Sequence, residues 1–362
     1  MTSRERILAT FRGDPVDRYP VWLKMGNPTW QKTQPEPYRS MAPDALLTAC
    51  GCDLFMGCGG GVDVKKNPRV KYTRTTEGDI IRETWETPDG TLVKLEQKDL
   101  ASNTTHPVKH PVETKQDLAA LRWLYRDNHY YVKPEAAAAA KARQAEWVKK
   151  DAITMSGVGP SPLQEIIEQL AGLENAIYLL MDHPDLVREV LDVMHQDRMQ
   201  MLRAMLPYEV ADTFWMTENT STTLVSPDMF EEFMMPHLKD YGNLILQHNI
   251  IPVHHMCGKL NGLLELIDQL PAMVNEAYTS SPVGDASLAE GRRRMPSKAL
   301  IGGTNAALWL APAETIVEEV RKDLAACPDH RKIFLSSAGV LPPAVSFEKA
   351  KTVVEAFKSF TP

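Results

Sequence analysis

Apolar residues recur along this chain in runs of strand length, near 21–25, 53–57, 152–156, 212–217, 250–255, 272–276, 298–302 and 332–336. Between most of them lie stretches whose apolar positions repeat at helical spacing, at 162–171, 184–205, 227–247, 259–268, 312–326 and 346–358. Helix-start signals sit where they should: Ser226-Pro227-Asp228, Ala311-Pro312 and Ser346. The chain opens on another helix. Thr2 and Glu5 have capping-box spacing, Ile7, Leu8 and Phe11 share a face, and Gly13-Asp14-Pro15 stops it. Strand–helix alternation predicts a parallel sheet. Eight strand-like runs predict its closure, an α/β fold of the (β/α)8 TIM-barrel type.

One region departs from this rhythm. Residues 70–98 alternate polar and apolar around a Pro88-Asp89-Gly90 turn, which predicts an antiparallel insertion after strand 2. Residues 99–150, with the run Ala136–Ala140, predict helical excursions before the third strand. The expectation is one TIM-barrel domain over 1–362, with an inserted β-meander and helices at about 62–150.

A barrel of this kind does its chemistry at the C-terminal ends of its strands. Those ends are rich in polar residues and glycine here. They carry Gly157-Val158-Gly159-Pro160, Glu218-Asn219, His254-His255-Met256-Cys257-Gly258, Glu276-Ala277-Tyr278, Gly302-Gly303-Thr304-Asn305 and Ser336-Ser337-Ala338-Gly339. In extended chain, residues two apart point the same way, so His255 and Cys257 present an imidazole and a thiolate to one side. That pair suits zinc, with Glu218 one strand earlier and Glu276 one strand later as oxygen donors. Glu231, Glu232 and His254 are further candidates for the remaining position, although His254 has the opposite orientation to His255. Trp22, Met25, Met56, Trp215, Met216, Tyr278 and Trp309 fall at or near strand ends, where an apolar substrate pocket would be lined. Each also fits ordinary barrel packing.

Composition narrows the partners. Forty Lys and Arg against 47 Asp and Glu give a net charge of −7, which disfavours a nucleic-acid surface. No stretch reaches the roughly 20 apolar residues of a membrane span, and residues 2–12 lack a signal-peptide core, so the expectation is a cytoplasmic protein. Five cysteines in so long a chain argue against a disulfide framework. Cys50, Cys52 and Cys58 form a C-x-C-x5-C cluster that reads as buried thiols beside a glycine loop more readily than as a metal site. Gly57–Gly61 is not a phosphate loop, because no Gly-Lys-Ser/Thr follows it.

Several segments together resemble the uroporphyrinogen decarboxylase superfamily. They are the opening TSRERILATFRGDPVDRYPVW, Ser226-Pro227-Asp228-Met229-Phe230, the H-x-C-G at 255–258, and Glu276-Ala277-Tyr278-Thr279 leading into Pro282-Val283-Gly284-Asp285. The resemblance covers nearly the whole chain and implies a TIM barrel. Decarboxylases of this superfamily carry an R-Q-A-G-R motif after the first strand. Here that stretch reads Leu23-Lys24-Met25-Gly26-Asn27-Pro28-Thr29-Trp30, without the arginines that would grip a polycarboxylate. The other branch comprises corrinoid-dependent methyltransferases that hold zinc through H-x-C, which His255 and Cys257 match.

Thiol-methylating members place a cysteine where this chain has Ala338. A site with fewer thiolates is the stronger Lewis acid, suited to an oxygen or nitrogen leaving group. The resemblance therefore implies a zinc-dependent methyltransferase. It would take a methyl group from a small donor, an aryl methyl ether in the favoured case, to the Co(I) corrinoid of a separate protein. The expected site has metal ligands His255, Cys257 and Glu218, catalytic residues Glu276 (as an acid) and Asn219, and a pocket of Trp22, Met25, Trp215, Tyr278 and Asn305. The corrinoid belongs on a partner because the Asp-x-His-x-x-Gly signature is missing. The nearest string, Asp127-Asn128-His129-Tyr130-Tyr131-Val132, lacks the glycine. The rival readings are a metal-independent decarboxylase and a non-catalytic ligand-binding homologue.

Overall fold

The structure is a computed structural model that describes residues 1–25, 27–99 and 104–362. Gly26, in the stretch without arginines, and residues 100–103, in the expected helical excursion, lie outside the described residues. Eight parallel strands form the barrel: β1 (Val21–Lys24), β2 (Phe55–Gly57), β3 (Ile153–Val158), β4 (Thr213–Thr217), β5 (Ile251–His255), β6 (Val274–Tyr278), β7 (Ala299–Gly302) and β8 (Ile333–Val340). Every one coincides with an apolar run. The hydrogen-bonded order is β1-β8-β7-β6-β5-β4-β3-β2.

Helix α1 (Ser3–Arg12) begins with the expected reciprocal capping of Thr2 and Glu5 and ends at Gly13, whose φ is +82°. It packs across the N-terminal mouth. Phe11 lies 6.5 Å from the Phe55 ring and 6.3 Å from that of Phe334, inside the barrel. The gap between β1 and β2 is bridged by one residue. The Asp53 N–H donates to the Val21 carbonyl (2.7 Å), and the Val21 N–H donates to the Asp53 carboxylate (2.8 Å). That buried carboxylate also binds Arg6 at 2.7 Å and Arg18 at 2.8 Å, so its charge is compensated where water is excluded.

The insertion departs in part from expectation. Strands Lys71–Glu77, Ile80–Thr87, Gly90–Asp99 and Thr104–Lys109 form a four-stranded antiparallel sheet. The last of these lies where a helix was expected. Its Thr104, Thr105 and Val108 are β-branched, and Pro107 is tolerated because the strand is at the sheet edge. Asp63–Lys65 pairs with His129–Tyr131, a second departure. The helices Lys115–Tyr125 and Pro134–Lys149 are as expected. Helices Pro43–Cys50, Leu173–Asp182 and Leu288–Arg294 lie outside the expected helical stretches. The helical stretches at 162–171 and 227–247 each contain a widened π turn, Ile166–Leu170 and Phe230–Met234. Cys50 and Cys52 are buried and hydrogen-bonded to one another, and Cys58 is buried.

Removing the charge of Asp53 should strand two guanidinium groups and open the β1–β2 seam. Asp53→Asn is expected to lose about 3 kcal/mol or more. Asp17→Asn, at a half-exposed partner of Arg6, should cost about 1 kcal/mol or less. Urea denaturation curves of the two variants measure the difference.

Candidate active site at the C-terminal mouth of the barrel

Parallel register places Thr217 opposite His255, and His255 opposite Glu276. These side chains therefore face the barrel interior in one layer. Beneath them the Trp215 ring meets Trp22 edge-on at 6.2 Å, and Phe55 lies 5.4 Å from Trp22. The Trp215 indole N–H is fixed by Thr213 Oγ1 at 3.0 Å. Two of the expected pocket residues thus form an aromatic floor.

Above the floor the polar residues converge. Glu276 has no exposure to solvent. One of its carboxylate oxygens is hydrogen-bonded to His255 Nδ1, and the other lies 2.7 Å from Lys24 Nζ. Cys257 donates its thiol to Asn219 Oδ1 at 3.5 Å, and the Asn219 N–H donates to the His255 carbonyl at 3.0 Å. A Cys257–His255 hydrogen bond completes a connected set of Lys24, Glu276, His255, Cys257 and Asn219. The sequence reading missed Lys24. It stands two residues after the inward-facing Trp22, so the alternation that paired His255 with Cys257 also marks it.

The charges in this set hold one another. Burial pulls the His255 pKa down, but its hydrogen bonds to Cys257 and Glu276 and the Glu276 charge outweigh that and raise it to about 9. Burial would raise Glu276, yet the Lys24 and His255 charges hold its carboxyl below the usual range. These partners favour the carboxylate form of Glu276 and the protonated form of His255.

Backbone strain collects at the same mouth. Asn219, Ala277 and Ala338, at the ends of β4, β6 and β8, have φ of +46°, +61° and +57°. At Ala277 the β6–β7 register slips between Glu276 and Tyr278. The slip leaves Glu276 facing inward and turns Tyr278 outward onto helix Leu288–Arg294. A Cβ on Gly291 of that helix would come within 2.7 Å of Tyr278 Oη.

Other expected residues are placed elsewhere. Both Glu218 oxygens accept from Ser161, from its N–H at 2.6 Å and its hydroxyl at 2.8 Å, at the start of the helix Pro162–Glu165. Burial raises the Glu218 pKa to about 7 against those hydrogen bonds. His254 is buried with the opposite orientation, without a partner on either ring nitrogen, and burial with the Lys298 charge lowers its pKa to about 3. Glu232 pairs with Arg188 at 2.7 Å on the outer helices, beside the exposed Glu231. Asn305 pins two loops, donating to Ser280 Oγ and the Ser281 carbonyl, both at 2.9 Å. Met25 is fully buried, as is Ala338.

Among the described residues no group of three or more His, Cys, Asp or Glu side chains is arranged to hold a metal ion. Of the three expected ligands, the structure brings His255 and Cys257 together without Glu218. The donor chemistry still suits zinc. Glu276 occupies Nδ1, which leaves Nε2, on the side of the Cys257 hydrogen bond, as the nitrogen that would ligate a metal, and a carboxylate behind a ligating histidine is the usual support for one. The Cys257 sulfur and the neighbouring Asn219 oxygen complete the donors at hand.

Residues 99–360 match the sequence profile of uroporphyrinogen decarboxylase (URO-D). The chain belongs to the URO-D family. The match includes β3 to β8 and hence His255, Cys257 and Glu276, while Lys24 precedes it. Among solved structures the fold is similar to a methyltransferase from Methanosarcina mazei, with a TM-score of 0.62, 16% identity, and coverage of 99% of this chain and 98% of that one. Other similar structures are more distant. A candidate vitamin-B12-independent methionine synthase from Listeria monocytogenes has a TM-score of 0.36 and 12% identity, over 57% of this chain and 64% of that one. Endo-glycoceramidase II from Rhodococcus sp. has a TM-score of 0.36 and 11% identity, over 61% and 66%. No curated protein matches the sequence. No described helix is long and apolar enough to cross a membrane.

For this URO-D family member the raised His255 pKa has a measurable consequence. A histidine whose pKa rises on folding stabilises fully below its unfolded value of about 6.5, and that stabilisation is lost as pH rises through about 9. In metal-free protein, NMR titration of His255 should therefore give a midpoint near 9. Glu276→Gln should bring it down, and an unchanged midpoint would show that the carboxylate is not its source.

Proposed function

We propose that this protein is a zinc-dependent methyltransferase. It moves a methyl group from a small methylated donor, an aryl methyl ether in the favoured case, to the Co(I) corrinoid of a separate protein. The observation that carries the reading is the imidazole–thiol pair of His255 and Cys257 at the barrel mouth, backed by the buried Glu276. Membership of the URO-D family and the likeness in fold to a methyltransferase support it.

His255 and Cys257 would hold the metal, with Asn219 Oδ1 beside the sulfur. Bound zinc would supply Lewis acidity toward the heteroatom that loses its methyl group. Glu276 keeps the His255 ring oriented and its Nδ1 proton in place, and Lys24 balances the buried carboxylate. Because a ligating histidine must shed its second proton, metal binding at this site competes with the imidazolium form and strengthens with pH. Trp22 and Trp215 offer the donor an apolar, aromatic floor that excludes water from the side away from the mouth. Ala338, where thiol-methylating relatives have cysteine, limits the sulfur donors and favours an oxygen or nitrogen leaving group.

The purified protein should contain about one zinc per chain, and His255→Ala and Cys257→Ala should each lose most of it. With cob(I)alamin, or a corrinoid protein, and an aryl methyl ether, the wild type should form methylcobalamin, seen by its visible spectrum, and both variants should not. Less than about 0.2 zinc per chain with no change in His255→Ala would overturn the zinc assignment. Methylcobalamin formation that survives both substitutions would overturn the site assignment.

A further inference from the structure

The insertion encloses space of its own. A cavity of about 540 Å³, the size of a small-molecule site, lies between one face of the meander and the helix Lys115–Tyr125. None of its lining residues belongs to the His255–Cys257 cluster. Its walls are aromatic and fixed. Tyr72 and Trp85 are cross-strand neighbours with ring centres 5.5 Å apart. Trp123 is held by its indole N–H, which donates to Asp89 Oδ2 at 2.9 Å, and Arg69 covers the ring at 4.2 Å.

The charges around this cavity are unevenly satisfied. Glu165 accepts from Tyr125 Oη at 2.6 Å and from Arg198 at 3.0 Å. Glu83 accepts from Tyr72 Oη at 2.5 Å. Lys94 pairs with Glu96 at 2.8 Å. Among the described residues, Lys66 alone of the charged lining residues has neither a hydrogen bond nor an ion pair. Its charge acts on the nearby Asp197 carboxylate, which accepts hydrogen bonds from Tyr130 at 2.6 Å and Asn128 at 3.0 Å. Lys66, Tyr125 and Glu165 also border a second cavity of about 310 Å³ that reaches Gly157 at the end of β3. The unpaired ammonium thus stands at the junction of two spaces.

We propose that this cavity binds a flat aromatic molecule bearing one carboxylate, with the ring between the meander and helix aromatics and the carboxylate on Lys66. An aromatic body matches the fixed ring faces. A single anionic group matches the one unpaired cation, while Glu83 and Glu165 disfavour a dianion such as a phosphate monoester. No residue of the His255–Cys257 cluster takes part in this binding, and it needs no metal.

The probe is 2-naphthoate, which carries no methyl group to transfer. It is compared by isothermal titration calorimetry with neutral 2-naphthamide and with cyclohexanecarboxylate on the full chain. The wild type should bind naphthoate at least about tenfold more tightly than either control, as a charge-assisted hydrogen bond and ring stacking would each give. Lys66→Met, at an exposed position, should weaken naphthoate by about tenfold or more and leave naphthamide unchanged. Trp85→Leu should weaken both aromatic ligands. Circular dichroism checks that both variants keep the fold. Absence of naphthoate binding, or affinity within about twofold of wild type in both variants, overturns the proposal, since it would place the ligand elsewhere or nowhere.

Discussion

A carboxylate with no access to water lies at the mouth of this barrel, and much of the site follows from it. Ionised and buried, Glu276 is tolerable only with cationic or hydrogen-bonding partners on its oxygens. Those partners come from different strands: Lys24 from β1 and His255 from β5 meet Glu276 on β6. The arrangement requires a barrel drawn nearly closed, since β1 and β6 are separated by two strands in the sheet. The Asp53 bridge between β1 and β2 supports that closure from the opposite end of the strands.

The mouth is also where the backbone departs from regular structure. Left-handed residues end three alternate strands, and at Ala277 the irregularity separates two roles that simple alternation would have merged. Glu276 is kept for the interior, and Tyr278 is given to packing behind the sheet. A regular strand would have continued the pleat and the register past Glu276. Strain of this kind persists where the surroundings over-determine it, and here it surrounds the residues with chemical potential. The zinc proposed above would compete with the proton that His255 holds through Glu276 and Cys257.

Much of the architecture was legible because burial on both faces leaves a continuous apolar run for each barrel strand. Val21–Lys24, Phe214–Met216 and Ala299–Gly302 read as strands for that reason. The meander was legible by its period of two, except for Thr104–Lys109, where an edge strand with a proline carries no alternating apolar signal. In the site, the i, i+2 relation puts His255 and Cys257 on one side, and the structure brings them within hydrogen-bond reach. Glu218 lies beyond the end of β4, where the pleat no longer dictates direction and the Ser161 N–H and hydroxyl take the carboxylate. Tyr278 faces away from Glu276 because a one-residue slip reverses the side.

By itself the sequence determined the strand and helix succession, the opening capped helix, the insertion point and the H-x-C pair, since each is set by local periodicity or by neighbours a few residues apart. The tertiary structure alone decided that Lys24 and His255 meet Glu276, that Glu218 binds Ser161, that Tyr278 turns onto the helix Leu288–Arg294, and that Asn305 holds the Ser280–Ser281 loop. Those outcomes depend on which groups meet across the barrel after closure. The free energy of a buried charge is fixed by partners hundreds of positions away, which no local pattern encodes.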